Sequence, residues 1–155
     1  MQVKIKNIIL LFTLLTSIVM SGCSKDNPVS AEKETLIYQR DGVIESFGGD
    51  CSAVQVRTSS FGNLDLNSDK IKFKLAGMSD ADLSSILIYY LDSNDEQVQL
   101  VNLPHRDQIN STRTIVIDSP DYSGEIFLRA TLKSSVCTGQ IFHIEIRDVK
   151  IYSIN

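Results

Sequence analysis

From residue 34 onward, apolar side chains recur at every second position, the period of a strand with one buried face. Ile71, Phe73 and Leu75 alternate with Lys70, Lys72 and Lys74. In residues 125–133, Ile126, Leu128, Ala130 and Leu132 share one parity, and Phe127, Arg129 and Thr131 the other. Val98 and Leu100 alternate with Gln97 and Gln99, and residues 114–117 are all β-branched. Residues 85–91 (SILIYYL) are apolar on both parities, as in a strand covered on two sides. Turn-forming residues punctuate the pattern at 61–63, 92–95, 119–121 and 138–139. No segment pairs a helix cap with a sustained apolar stripe. The pattern predicts an all-β domain, an antiparallel β-sandwich of about eight strands. Its first strand should include Leu36 to Tyr38. Ile71, Phe73, Ile86, Ile88, Leu128, Ile144 and Ile146 should share one core.

The last apolar run changes parity. Phe142, Ile144 and Ile146 lie on one parity, Val149 and Ile151 on the other. One extra residue near Arg147 and Asp148 keeps both groups facing inward, which is what a β-bulge does. This ending (IEIRDVKIY, residues 144–152), after EIFLRA at 125–130 and IKFKLAG at 71–77, resembles jelly-roll domains of the carbohydrate-binding-module and galactose-binding-like kind. The resemblance spans residues 34–152. It implies a jelly-roll sandwich and a non-catalytic role in binding carbohydrate.

Ahead of this domain the pattern is different. Lys4 and Lys6 precede an uncharged stretch over residues 8–20, followed by Ser21, Gly22 and Cys23. A spanning helix needs about 20 apolar residues, and this stretch matches the shorter core of a secretory signal. It resembles the signal peptide of a bacterial lipoprotein ending in a lipobox, with Met20 where leucine is usual. The resemblance implies cleavage after Gly22 and a diacylglyceryl thioether on Cys23. Ser24 resembles the pattern sorted to the outer membrane, and Asp26 hints at surface export. Residues 1–22 are therefore assigned to a signal peptide, 23–33 to the lipidated cysteine and a polar tether, and 34–155 to the sandwich. The expected location is the cell envelope, with the protein held to the membrane by lipid. A coil of the tether's length reaches roughly 20 Å.

Lipidation of Cys23 leaves Cys51 and Cys137. An even pair in an oxidising space is most simply a disulfide, and a catalytic cysteine with His143 as base is the alternative. Of 15 basic residues, Lys4 and Lys6 leave with the signal, so 13 face 19 acidic residues, a net charge of −6. That balance argues against nucleic acid, where a basic patch supplies most of the affinity.

Sugar recognition calls for aromatic rings and hydrogen-bonding partners. The chain has no tryptophan, a departure from the usual polysaccharide-binding pattern, but Tyr89, Tyr90 and Tyr122 remain. By strand parity Tyr89, Arg129, His143 and Glu145 point outward and form a candidate ligand face; an ordinary solvated sheet face would read the same way. In jelly rolls of this kind a structural calcium often lies near the first and last strands, which implies Asp148, with Asp41 just beyond the first strand, as candidate ligands. The other reading of Asp148 is a bulge aspartate bonded to its own backbone. Lys70, Lys72 and Lys74 would meet an anionic glycan or guard a strand edge. His105 lacks a second histidine nearby. No nucleophile elbow, phosphate-binding loop or metal-ligand cluster occurs, so no enzyme and no cofactor beyond that calcium is expected. An accessory envelope lipoprotein binding a partner protein is the second functional class.

Overall fold

The computed structural model describes residues 32–155. The expected signal peptide, Cys23 and the tether up to Ala31 lie outside the described residues. Eight strands follow one another: β1 (Glu34–Gly49), β2 (Gln55–Asp65), β3 (Lys70–Ser79), β4 (Ser85–Leu91), β5 (Gln97–Leu103), β6 (Ser111–Asp118), β7 (Ser123–Leu132) and β8 (Phe142–Ile154). A single helical turn, α1 (Arg106–Ile109), lies between β5 and β6 and buries Ile109.

The strands form two antiparallel four-stranded sheets, in the orders β1-β8-β3-β6 and β2-β7-β4-β5. The pairs β1–β8, β2–β7, β3–β6 and β4–β5 are the rungs of one long ribbon whose tip is the β4–β5 hairpin. Rolling that ribbon brings β3 against β8 and β4 against β7, which completes both sheets. This is the jelly roll. Its core is the layer between the inner faces. All seven side chains expected there are no more than 1% exposed.

The bulge expected near Asp148 is present, and it answers a second one. Between their pairings with Val149 and Arg147, β1 spends Asp41 and Gly42 against the single residue Asp148. Asp148 and Gly42 both adopt left-handed backbone, at φ 54° and 78°, a conformation that aspartate tolerates better than most residues and glycine tolerates freely. The Gly42 N–H donates to Asp148 Oδ1 at 2.8 Å, locking the two strands at the kink. Val149 and Ile151 both end up fully buried.

Three expectations on the elements are corrected. Residues 61–63 do not turn the chain: Gly62, at φ 80°, lies inside β2 as a bulge, and the strand runs on to Asp65. Asp41 does not follow β1 but lies within it. Lys33, assigned to the tether, exchanges N–H···O bonds with Asn155, so the domain begins there. The turn at 92–95 forms as expected: Asp92 Oδ1 accepts the N–H groups of Asn94 at 2.8 Å and Glu96 at 2.9 Å.

Candidate functional site

The outer face of the β2-β7-β4-β5 sheet carries the most developed surface chemistry. Strand β7 turns Ile126, Leu128 and Ala130 to the core, so Ser123, Glu125, Phe127, Arg129 and Thr131 face outward. Directly opposite residues of an antiparallel pair share a face. Register therefore adds Asp65, Asn63, Ser60 and Thr58 from β2 and Leu87 and Tyr89 from β4. In the middle of this face Tyr89 stacks on Phe127, ring centroids 5.4 Å apart. The Arg129 guanidinium lies over Tyr89, 4.8 Å from its centroid, and donates to Tyr89 Oη at 3.2 Å. The sequence-level parity for Tyr89 is right, but its exposure is not. Covered by these neighbours, Tyr89 is only 6% exposed.

At one end of the same strand pair is an open concavity of about 410 Å³, lined by Asn63, Leu64, Asp65, Ser123 and Gly124. Its polar groups are set by one another. Asp65 Oδ1 accepts from Ser123 Oγ at 2.8 Å, from Asn67 Nδ2 at 2.6 Å and from the Asn67 N–H at 3.1 Å. Asn67 Nδ2 also donates to Ser123 Oγ at 2.8 Å. Beside it Tyr122 stacks on Tyr90 at 3.9 Å. The Tyr122 hydroxyl lies over Gly124, where an added Cβ would come within 2.3 Å of it. Only glycine leaves this ring in place.

The hydrogen bond from Ser123, followed by those from Asn67, holds the Asp65 carboxyl below its ordinary 3.8. A depressed carboxyl favours the folded state above its unfolded pKa, and that contribution is lost as pH falls through the folded value. Asp65 should therefore give up its proton at a lower pH than an ordinary aspartate and be an acceptor only at neutral pH. An NMR titration of its carboxyl carbon should give a midpoint below 3.8; a midpoint at 3.8 or higher would mean that these bonds are not made in solution.

Sequence reading missed Asn63, Asp65, Asn67 and Ser123. For the first three the signal is present, since Leu64 and Leu66 alternate with Asn63, Asp65 and Asn67 at period two, but Gly62 beside them imitates a turn.

The remaining candidates lie elsewhere. His143 and Glu145 are on β8, in the other sheet, so the four-residue ligand face expected from parity is not formed. Parity says which residues of one strand share a face, and only the fold says which sheet the strand joins. His143 is exposed beside Asp80, whose Oδ1 accepts the His143 backbone N–H at 2.6 Å. Glu145 pairs with Arg147 at 3.4 Å. At the paired bulges, Asp148 is held by Gly42 and by Arg147 at 3.4 Å. Asp41 is held by Gln39 at 2.6 Å and lies 3.9 Å from Lys150. Asp148 thus bonds the backbone of the facing strand rather than its own. Among the described residues no group of three or more His, Cys, Asp or Glu side chains gathers as a metal requires. The lysine row does not guard an edge, because β3 lies between β8 and β6. Lys70 pairs with Glu32 at 3.0 Å, and Lys72 pairs with Glu34 and covers the Tyr152 ring.

No family model matches this sequence, nor does any curated protein. Among solved structures it is similar to the CBM36-1 domain of a multidomain xylanase from the hindgut metagenome of Trinervitermes trinervoides. The two share 13% identity at a TM-score of 0.35, over 77% of this chain and 96% of that one. The assignment of this domain as a jelly roll stands on its strand order.

Proposed function

We propose that this protein is a lipid-anchored, extracytoplasmic module that binds carbohydrate without cleaving it. The observation that carries the reading is the concavity at Asn63, Asp65 and Ser123. The Asp65 carboxylate is fixed there by the Ser123 hydroxyl and the Asn67 amide before any ligand arrives, and the Asn63 amide lines the same concavity. Sugar hydroxyls both donate and accept, so they suit a carboxylate next to an amide. Groups already fixed lose little entropy on binding. Binding without catalysis fits the thiols as well. Cys51 and Cys137 are joined to each other, which removes the Cys–His143 pairing weighed from the sequence.

The test is a glycan array probed with the full chain, followed by titration calorimetry on any hit. Asp65→Ala should lower the affinity roughly tenfold or more, the cost of losing a hydrogen bond to a charged group. An array with no hits, or full affinity in Asp65→Ala, would remove the reading. Anchoring is tested separately. Cys23→Ser should abolish incorporation of radioactive fatty acid; unchanged labelling would refute the anchor.

A second reading, an accessory lipoprotein gripping a partner protein, rests on a different place. The loops flanking the disulfide expose Val54, Val136 and Ile141 at 52%, 56% and 66%. Pull-down from membranes separates this reading from the first, since Val136→Asp would break it and leave glycan binding untouched.

A further inference from the structure

The Arg129 guanidinium is held in an interior strand of the outer face, between Thr58 of β2 and Leu87 of β4. Its Cζ lies 4.8 Å from the Tyr89 ring centroid, and it spends one N–H on Tyr89 Oη at 3.2 Å. Among the described residues no other acceptor takes an N–H of this side chain. Lys70, Lys72, Arg106, Arg147 and Lys150 each lie within ion-pair distance of a carboxylate. Among the described residues no such partner reaches Arg129, nor Lys33, Arg40, Arg57, Lys74, Arg113 or Lys133, and of these cations Arg129 is the one held by a tyrosine hydroxyl on this face. Glu125, on the same face, is four residues away along β7, about 13 Å at strand spacing, and it accepts from Ser60 Oγ at 2.6 Å. The groups opposite and beside Arg129 are Thr58, Leu87 and Thr131, all uncharged.

From this we infer that Arg129 receives the carboxylate of an acidic sugar, so that the glycan bound by this face carries a uronate. The inference rests on the carbohydrate reading above and narrows it. A guanidinium takes a carboxylate through two parallel N–H···O bonds, a planar match that a hydroxyl cannot make. The two ends of the face differ in charge. Asp65 is ionised at one end, and Arg129 is six residues along β7, about 20 Å away. A carboxylate is repelled at the first and held at the second. The ligand therefore lies in one direction, with a neutral sugar at Asp65 and the uronate several units away at Arg129. Selectivity arises from this one placed cation. The domain as a whole is acidic, and beyond about 8 Å at physiological salt its other charges are screened.

The experiment uses the full chain, immobilised from detergent, and a panel of uronate-bearing polysaccharides. Each polymer is offered as the free acid and after carbodiimide–borohydride reduction of its carboxylates to alcohols. At least one polymer should bind roughly tenfold or more tightly as the free acid, the scale of a charge-assisted pair. R129Q should bring the two affinities together, and R129K should keep part of the difference. Equal binding of both forms by the natural chain would overturn the inference and leave the carbohydrate reading standing. A difference that persists in R129Q would also overturn it. Binding to no polymer in either form would overturn the inference, and the glycan array then decides the carbohydrate reading. Because the decisive comparison alters the ligand, it holds even if R129Q folds poorly.

Discussion

Phe73→Ala should destabilise the domain by about 3–5 kcal/mol. Phe73 is fully buried in β3, between Ile151 of β8 and Ile115 of β6. Truncation leaves a cavity that these neighbours cannot close, since the ladders on both sides hold their backbones in place. Domains of this size are stable by about 5–15 kcal/mol in all, so the loss is a large share of the total. Urea unfolding followed by circular dichroism should show a much lower midpoint at an unchanged slope. A loss below about 1 kcal/mol would show that this side chain does not fill the core.

The next largest effect should come from the disulfide. Cys51 and Cys137 are bonded, with Cα atoms 5.3 Å apart and a sequence separation of 86. Closing so long a loop restricts the unfolded chain by about 4 kcal/mol in the entropy model, and removal of native bridges commonly costs about 2–5 kcal/mol. The bond joins the β1–β2 loop to the β7–β8 loop. The latter is further held by Asp82, which accepts from the Ser135 N–H at 2.9 Å. Cys51→Ala with Cys137→Ala should therefore unfold at lower urea, and reductant should shift the natural chain by a similar amount. An unchanged midpoint under reduction would show that the bond adds no stability.

Most of the fold was legible because each buried strand carries its period plainly. Ile71, Phe73, Ile86, Ile88, Leu128, Ile144 and Ile146 needed only parity to be placed. The change of parity between Ile146 and Val149 located the bulge, since a core face cannot be interrupted without an added residue. Strand β2 escaped for the opposite reason. It lies at a sheet edge, where Arg57, Thr58, Ser60 and Asn63 are exposed, and its left-handed Gly62 imitates a turn. Missing β2 meant missing the concavity that its end builds with β7. The separation of His143 from Tyr89 was illegible for another reason. No local pattern states which of two sheets a strand will join, and in a jelly roll that depends on partners far along the chain.

The order of the strands also governs when this domain can exist. The first strand made, β1, pairs in its sheet only with the last, β8, which also separates β1 from β3. Until β8 is available, one sheet is missing an interior strand, and Ile44, Phe73 and Leu75 have no complete layer to close over them. A chain without β8 therefore has no stable sandwich to settle into. Such non-local pairing also makes folding slow, because distant segments must meet before any contact stabilises them. The sheet is complete only with β8 between β1 and β3 and with Asn155 bonded to Lys33. The topology thus makes β8 the strand on which closure of the sandwich depends.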